Sequence, residues 1–347
     1  MLPLMILRPN SSPRHPDMPA GVTPVVPTAP VPAWLRRAVA DAQSLAAQGA
    51  GQDTLEDVAL VAGAALALLD AVVRGQEKWA GAWRQRLALT AAALAAKQTG
   101  RVEDEAALRD AVLLTKAGDD VGPAGRLLLA WRRLVTRPAE DLLTGKNLGA
   151  VLEEFGHSPD DKAVGDLVDE LRRLFAGGMV GSLTDAFVAA ERYGFGRTVG
   201  AWLADALVAQ RLGWTHAVPL LGAEVIAGLG APRPRRSGTC IAAASIEDEG
   251  VRAEGLLAAQ ARAGLRAVDL SAELGRRSEQ LLAVAPKLRA RASGLVVERL
   301  LSDDALVASE KIAGMSDRGL RRLFDRLQKL GAVRELSGRP TFRIYGL

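Results

Sequence analysis

Side chains with the chemistry of catalysis or metal binding are few and scattered in this chain. His15, His157 and His216 are isolated from one another, with no HExxH and no His-Cys-Cys set, so the ligands of a zinc hydrolase or deaminase are missing. The single cysteine, Cys240, excludes an intramolecular disulfide and a multi-cysteine zinc site, and reads as a small buried hydrophobe. Gly145-Lys146 is followed by Asn147 and has no glycine at the required distance upstream, which excludes a P-loop. The stretch GFGRTVG at 194–200 lacks the spacing of a dinucleotide loop and follows a helical pattern rather than a strand. No GxSxG elbow occurs. Glu103-Asp104-Glu105, Asp119-Asp120 and Asp160-Asp161 have oxygen ligands enough for a divalent cation. Each opens a predicted helix, however, where carboxylates satisfy free N–H groups and the helix dipole. Trp83 with Arg84 and Arg86, and Trp131 with Arg132-Arg133, read as core edges of helices whose arginines form the wet side. These residues predict a protein that is not an enzyme, with no catalytic residue, no metal and no cofactor.

The residues that do form a pattern are cations near the C-terminus: Arg318, Arg321, Arg322, Arg326 and Lys329, then Arg334, Arg339 and Arg343. Residues 286 to 347 hold 13 Lys+Arg against 7 Asp+Glu, net +6, leaving 31 against 33 elsewhere, so the formal +4 of the chain resides in this stretch. Concentrated positive charge is the footprint of a phosphate-binding face.

The elements that must position these cations are legible. Helix Pro286 to Leu301 carries Leu288, Leu295 and Val296 towards Leu300, and a short helix from Ser309 carries Ile312. Ser316 then caps a third helix from Asp317 to Leu330. In it Leu320, Leu323, Phe324, Leu327 and Leu330 form one apolar stripe with the cations on or beside the other face. Gly331 stops it, and AVREL, the turn SGRP and TFRIY read as a hairpin with Phe342 and Ile344 on one side. Three helices and a hairpin are the order of a winged helix, a relative of the helix-turn-helix whose third helix enters the major groove. The turn of Ala313, Gly314 and Met315 is tight, which predicts a stunted second helix.

Before this module the pattern is helical. Nine of the 17 prolines precede Trp34, so residues 1–33 are expected to form a disordered tail. A helix capped by Asp53 or Thr54 and running to Val73 is apolar nearly all round, predicting the centre of a bundle; its uninterrupted apolar run, Val58 to Leu69, is too short to span a bilayer. Periodic segments follow at Trp79–Lys97, Glu103–Lys116, Pro123–Val135, Leu148–Phe155, Ala163–Phe175, Leu183–Tyr193, Arg197–Leu212 and Val218–Leu229. The expected organisation is an all-helical domain over 34–230, a linker over 231–245 around APRPRRSG, connecting helices over 246–285, and a winged-helix module over 286–347. The fold class is thus mainly α, a helical bundle followed by three helices and a β-hairpin.

The phrases WRQRLAL (83–89), DEAALRDA (104–111), GDDVGPAGRLLLAWRRL (118–134) and GRPTFRIYGL (338–347) resemble the bacterial family catalogued as domain of unknown function 1403, over most of residues 34–347. The resemblance implies a bacterial, cytoplasmic protein and assigns no residue a role. The functional expectation from the residues is a non-enzymatic DNA-associated protein, a regulator or replicon-maintenance accessory factor, binding duplex DNA through Arg318, Arg321, Arg322, Arg326, Lys329, Arg334, Arg339 and Arg343. The alternative is a scaffold whose winged helix docks a protein partner, with the helical domain as a homodimer or partner surface; no membrane association is expected.

Overall fold

Alanine, leucine and valine at helical spacing, with few aromatics, favour close-packed helices joined by glycine and proline turns. The computed structural model describes residues 31–48, 51–116, 118–224, 243–288, 290 and 292–347. Cys240, His15, the tail up to residue 30 and residues 231–242 of the expected linker lie outside the described residues. In chain order the described helices are α1 (Ala33–Gln48), α2 (Gly51–Gly75), α3 (Ala80–Gln98), α4 (Glu105–Leu113), α5 (Gly122–Thr136), α6 (Gly145–Glu154), α7 (Asp161–Ala176), α8 (Met179–Arg192) and α9 (Gly196–Arg211). They continue with α10 (Ala243–Val284), α11 (Ser293–Ser302) and α12 (Asp317–Lys329), with strands β1 (Leu306–Val307), β2 (Arg334–Glu335) and β3 (Ile344–Gly346). The protein is mainly α.

The longest element is α10, 42 residues in one helix, where connecting helices were expected. It packs along α2 and α1, while α8 packs on α9 and α3 on α5. Three tryptophans, Trp83, Trp202 and Trp214, bury their rings and use their indole N–H as ties between elements. Trp83 of α3 donates to Ala267 O of α10 at 2.9 Å, Trp202 of α9 to Ala130 O of α5 at 3.1 Å, and Trp214 to Asp70 Oδ1 of α2 at 2.8 Å.

Three expectations are corrected. First, α2 is not central: Val58, Ala62, Ala65, Leu69 and Val72 are buried, but Leu60 is 74% exposed, because α1 and α10 cover one side only. Counted with its flanks, Thr54–Gly75 has the length and hydropathy of a membrane-crossing helix, with 28% of its most apolar window buried, so the shorter uninterrupted run understated it. Second, the stretch from Val218 is not a helix as far as it is described. It contains a 3-10 turn, Leu221–Ala223, because backbone N–H groups there are claimed by a side chain rather than by preceding carbonyls. Third, the segment from Pro286 begins as the 3-10 turn Ala285–Lys287, and its helix starts only at Ser293. Leu295 consequently stands 44% exposed.

The side chain that claims those N–H groups is Asp205 of α9, fully buried. Its carboxylate accepts from Leu220 and Leu221 N at 2.9 Å and from Gly222 N at 3.2 Å. This draws the turn against Trp131, where a Cβ on Gly222 would come within 2.0 Å of the indole ring, so only glycine fits. Burial pushes the Asp205 carboxyl up to about 7, against the opposing pull of the three N–H donors. An unfolded aspartate loses its proton near about 3.9. Folding therefore takes up a proton between those values, and this contribution to stability falls as pH rises from about 4 to about 7. Urea unfolding of the parent and of Asp205→Asn should show the stability difference shrinking over that interval; a difference that grows would mean that the ionised carboxylate is what the turn requires.

Candidate nucleic-acid interface

The C-terminal residues are seated on the helical body by one buried carboxylate. Asp304, between α11 and β1, is 1% exposed. It accepts from Arg109 Nε of α4 at 2.6 Å and is ion-paired with Arg86 of α3. Burial alone would raise its pKa; the two guanidiniums outweigh it and hold the carboxyl below its ordinary value. Around this anchor β1 pairs with β3 and β3 with β2, all antiparallel, giving the sheet order β1-β3-β2. The third strand was not expected from the sequence. The short helix expected from Ser309 is not formed: residues 308–315 make two turns, and Ile312 is buried without it, since the tight Ala313-Gly314-Met315 segment, with Gly314 at φ +78°, leaves no room for a helical turn.

The central strand β3 is covered on both sides. Tyr345 stacks on Phe324 of α12 with centroids 4.4 Å apart and 6° between planes. Ile344 packs with Ala305 and Val307 against Leu113 and Leu114 at the end of α4. Helix α12 starts where Ser316 Oγ accepts from Gly319 N at 3.2 Å. Leu320, Leu323, Phe324 and Leu327 are buried as expected, whereas Leu330 at the C-cap is 41% exposed. Gly331, at φ +67°, closes the helix in the left-handed conformation, with Ala332 N donating to Leu327 O at 2.9 Å.

The opposite side of α12 carries cations. Arg318, Arg321, Arg322, Arg326 and Lys329 are all exposed, and among the described residues none of them makes an ion pair. Two grooves flank the helix. One, of about 420 Å³, runs between α12 and the hairpin and is lined by Arg321, Asp325, Phe342 and Arg343. The other, of about 890 Å³, is lined by Lys287, Leu288, Gly319, Arg322 and Arg326. Lys287 joins this face from a sequence-distant turn, so helical periodicity had no means of including it.

The hairpin residues are dispersed. Arg343 is exposed on the α12 side, whereas Arg334 lies on the edge strand β2, close enough to Arg277 of α10 to depress that residue's pKa, after burial. Arg339 is half-buried and committed within the molecule: its guanidinium donates to Asp110 of α4 at 2.5 and 2.7 Å and to Phe342 O at 3.2 and 3.3 Å. Phe342 is corrected too. At φ +53° it breaks the strand alternation and turns out, 66% exposed, instead of sharing a face with Ile344.

The other candidate residues have structural partners. Asp104 and Asp160 cap α4 and α7, accepting from Ala107 N at 2.9 Å and Ala163 N at 2.6 Å, and Asp120 accepts from Gly122 N at 3.0 Å. Among the described residues no group of three His, Cys, Asp or Glu side chains is placed to hold a metal ion. Trp83 and Trp131 are buried as expected. Their neighbouring arginines, however, do not form a wet side: Arg86 turns in to Asp304, Arg133 pairs with Glu154, and Arg84 and Arg132 are half-buried.

What the fold defines is a mainly helical protein with a small three-stranded sheet at its C-terminus. The family model described as "Protein of unknown function (DUF1403)" matches residues 25–347, and the chain belongs to that family. No curated protein and no solved structure matches the chain.

Asp304→Ala would strand Arg86 and Arg109 without their carboxylate and should cost about 3–5 kcal/mol by chemical denaturation. Leu323→Ala, beneath α12, should cost about 2–5 kcal/mol. Melting of either variant together with the parent would mean that the C-terminal elements are not seated as described.

Proposed function

We propose that residues 286–347 form a winged helix that binds duplex DNA, and that the protein is a non-enzymatic DNA-associated factor acting in regulation or replicon maintenance in the cytoplasm. The observation that carries this reading is the exposed face of α12, with five cations and no ion pair among the described residues. Of the acids nearby in sequence, Asp304 is held by Arg86 and Arg109 and Asp303 and Glu310 by Arg299, which leaves Asp317 and Asp325 of α12 itself as exposed acids beside its five cations. A helix lying between β1 and β2, with its apolar stripe on the sheet and its cationic side outward, is the arrangement that offers a helix to a major groove. Arg343 and the hairpin groove extend the cationic face beside Arg321. Arg339 and Arg334 leave the set of primary contacts, the first committed to Asp110 and the second set beside Arg277.

The exposed Phe342 favours one other reading, a protein partner docked in the groove between α12 and the hairpin. Salt separates the two. About six phosphate contacts give log–log salt slopes of roughly −5, while a docked apolar side chain gives almost none. Duplex affinity should therefore fall steeply with salt. Arg318→Gln with Lys329→Gln should reduce that slope by about 2, and an arginine reading a guanine edge should cost about 1–3 kcal/mol of discrimination when replaced. Fluorescence anisotropy at several salt concentrations is the measurement. A parent protein without salt-dependent duplex binding refutes the DNA reading, as does an α12 double variant that binds like the parent.

A further inference from the structure

Between the start of α3, the end of α5, the segment Thr215–His216 and the end of α11 lies a polar cavity of about 490 Å³. Its wall includes Arg84, Gln85, Thr215 and His216, with Glu77 and Asp303 also lining it. Two side chains there lack partners among the described residues. Arg84 Nε is buried without an acceptor, and Gln85, only 9% exposed, has an unpartnered Oε1. One turn before Thr136, another cavity residue, Arg132 Nε is buried and unpartnered as well. Burial depresses the pKa of Arg84 with no carboxylate close enough to offset it. Buried polar atoms in folded proteins are satisfied in the great majority, and those that are not call for a ligand or a functional reason.

We propose that this cavity binds the carboxylate of a small organic acid on Arg84. A planar guanidinium matches a planar carboxylate with two parallel hydrogen bonds. The hydroxyl of Thr215 supplies a neutral donor beside it, and the unpartnered Gln85 Oε1 accepts from a hydroxyl or other donor elsewhere on the acid. A multiply charged anion is disfavoured, because Glu77 shares the wall and Asp303, although held by Arg299 at 2.7 Å, contributes a second carboxylate. The volume exceeds that of a bare carboxylate and leaves room for a short carbon chain. The cavity closes on the C-terminal segment directly: a Cβ on Gly81 would lie 2.7 Å from Ser302 Cα and O, so α3 and the end of α11 meet at its floor. This inference is independent of DNA binding.

His216 reports occupancy. Burial, and then the charge of Arg84, hold its pKa below the ordinary histidine value. The other charged groups lining the cavity are Glu77 and Asp303. A bound carboxylate neutralises Arg84 and favours the imidazolium, so the His216 pKa should rise with acetate, and acetate should bind more tightly at lower pH. The experiment is an NMR titration of the His216 imidazole in the full chain with acetate, with chloride and with phosphate at matched ionic strength. The expected result is an upward, saturable shift with acetate, absent with chloride and lost in Arg84→Gln. Because Arg84→Gln removes a cation that no acid among the described residues pairs, the free variant should melt at or above the parent temperature. Four results overturn the proposal: no saturable shift, a shift retained in Arg84→Gln, phosphate outcompeting acetate, or a variant that melts well below the parent, which would make Arg84 structural.

Discussion

A carboxylate taken out of water must find cations or lose its charge, and Asp304 finds two, one on α3 and one on α4. This requirement governs the C-terminal sixth of the chain. The two guanidiniums reach one residue lying between α11 and β1, so they fix where the first strand begins and therefore where β3 can pair with it. Helix α12 follows through the Phe324–Tyr345 stack. The outward direction of its cationic side is thus set from the bundle by an ion pair, and the apolar contacts of α12 serve to hold that direction. A second tie, Arg339 to Asp110, fastens the hairpin to the same helix α4.

The same economy sorts the charges of the C-terminal stretch. Asp304 is drawn inward and Asp303 and Glu310 pair locally with Arg299, while the cations of α12, with Asp317 and Asp325 on the same helix, are left to solvent. A net charge read from composition says that an excess exists. The pairing decides that the excess is gathered on one helix face and its two flanking grooves, and that Arg339 is withdrawn from it. Arg133 is paired with Glu154 and Arg86 and Arg109 with Asp304, whereas Arg84 and Arg132 each keep a buried Nε without an acceptor, and no acid among the described residues is in contact with them.

Buried polar groups also explain where helices stop. Asp205 converts the stretch after α9 from a periodic segment into a turn by claiming three successive N–H groups, and Gly222 lets that turn lie on Trp131. Periodicity reports apolar spacing and does not see a side chain that competes for the backbone from another element.

The sequence by itself determined the helical class, the caps at Asp104, Asp160 and Ser316, the apolar stripe and cationic side of α12, and the stop at Gly331, because each depends on residues within one or two helical turns of one another. It also carried the family, through phrases spread along the chain. The tertiary structure alone decided the third strand β1, whose two residues are too few to show an alternation, and the outward turn of Phe342, which follows from a positive φ held by Arg339 at its carbonyl. It decided as well that Leu60 is left uncovered on α2, that α10 is one helix lying along the bundle, and that Lys287 joins the face of α12. Each of these is a contact between residues far apart in the chain, and local spacing carries no information about which distant surface arrives to cover, pair or leave open a given side chain.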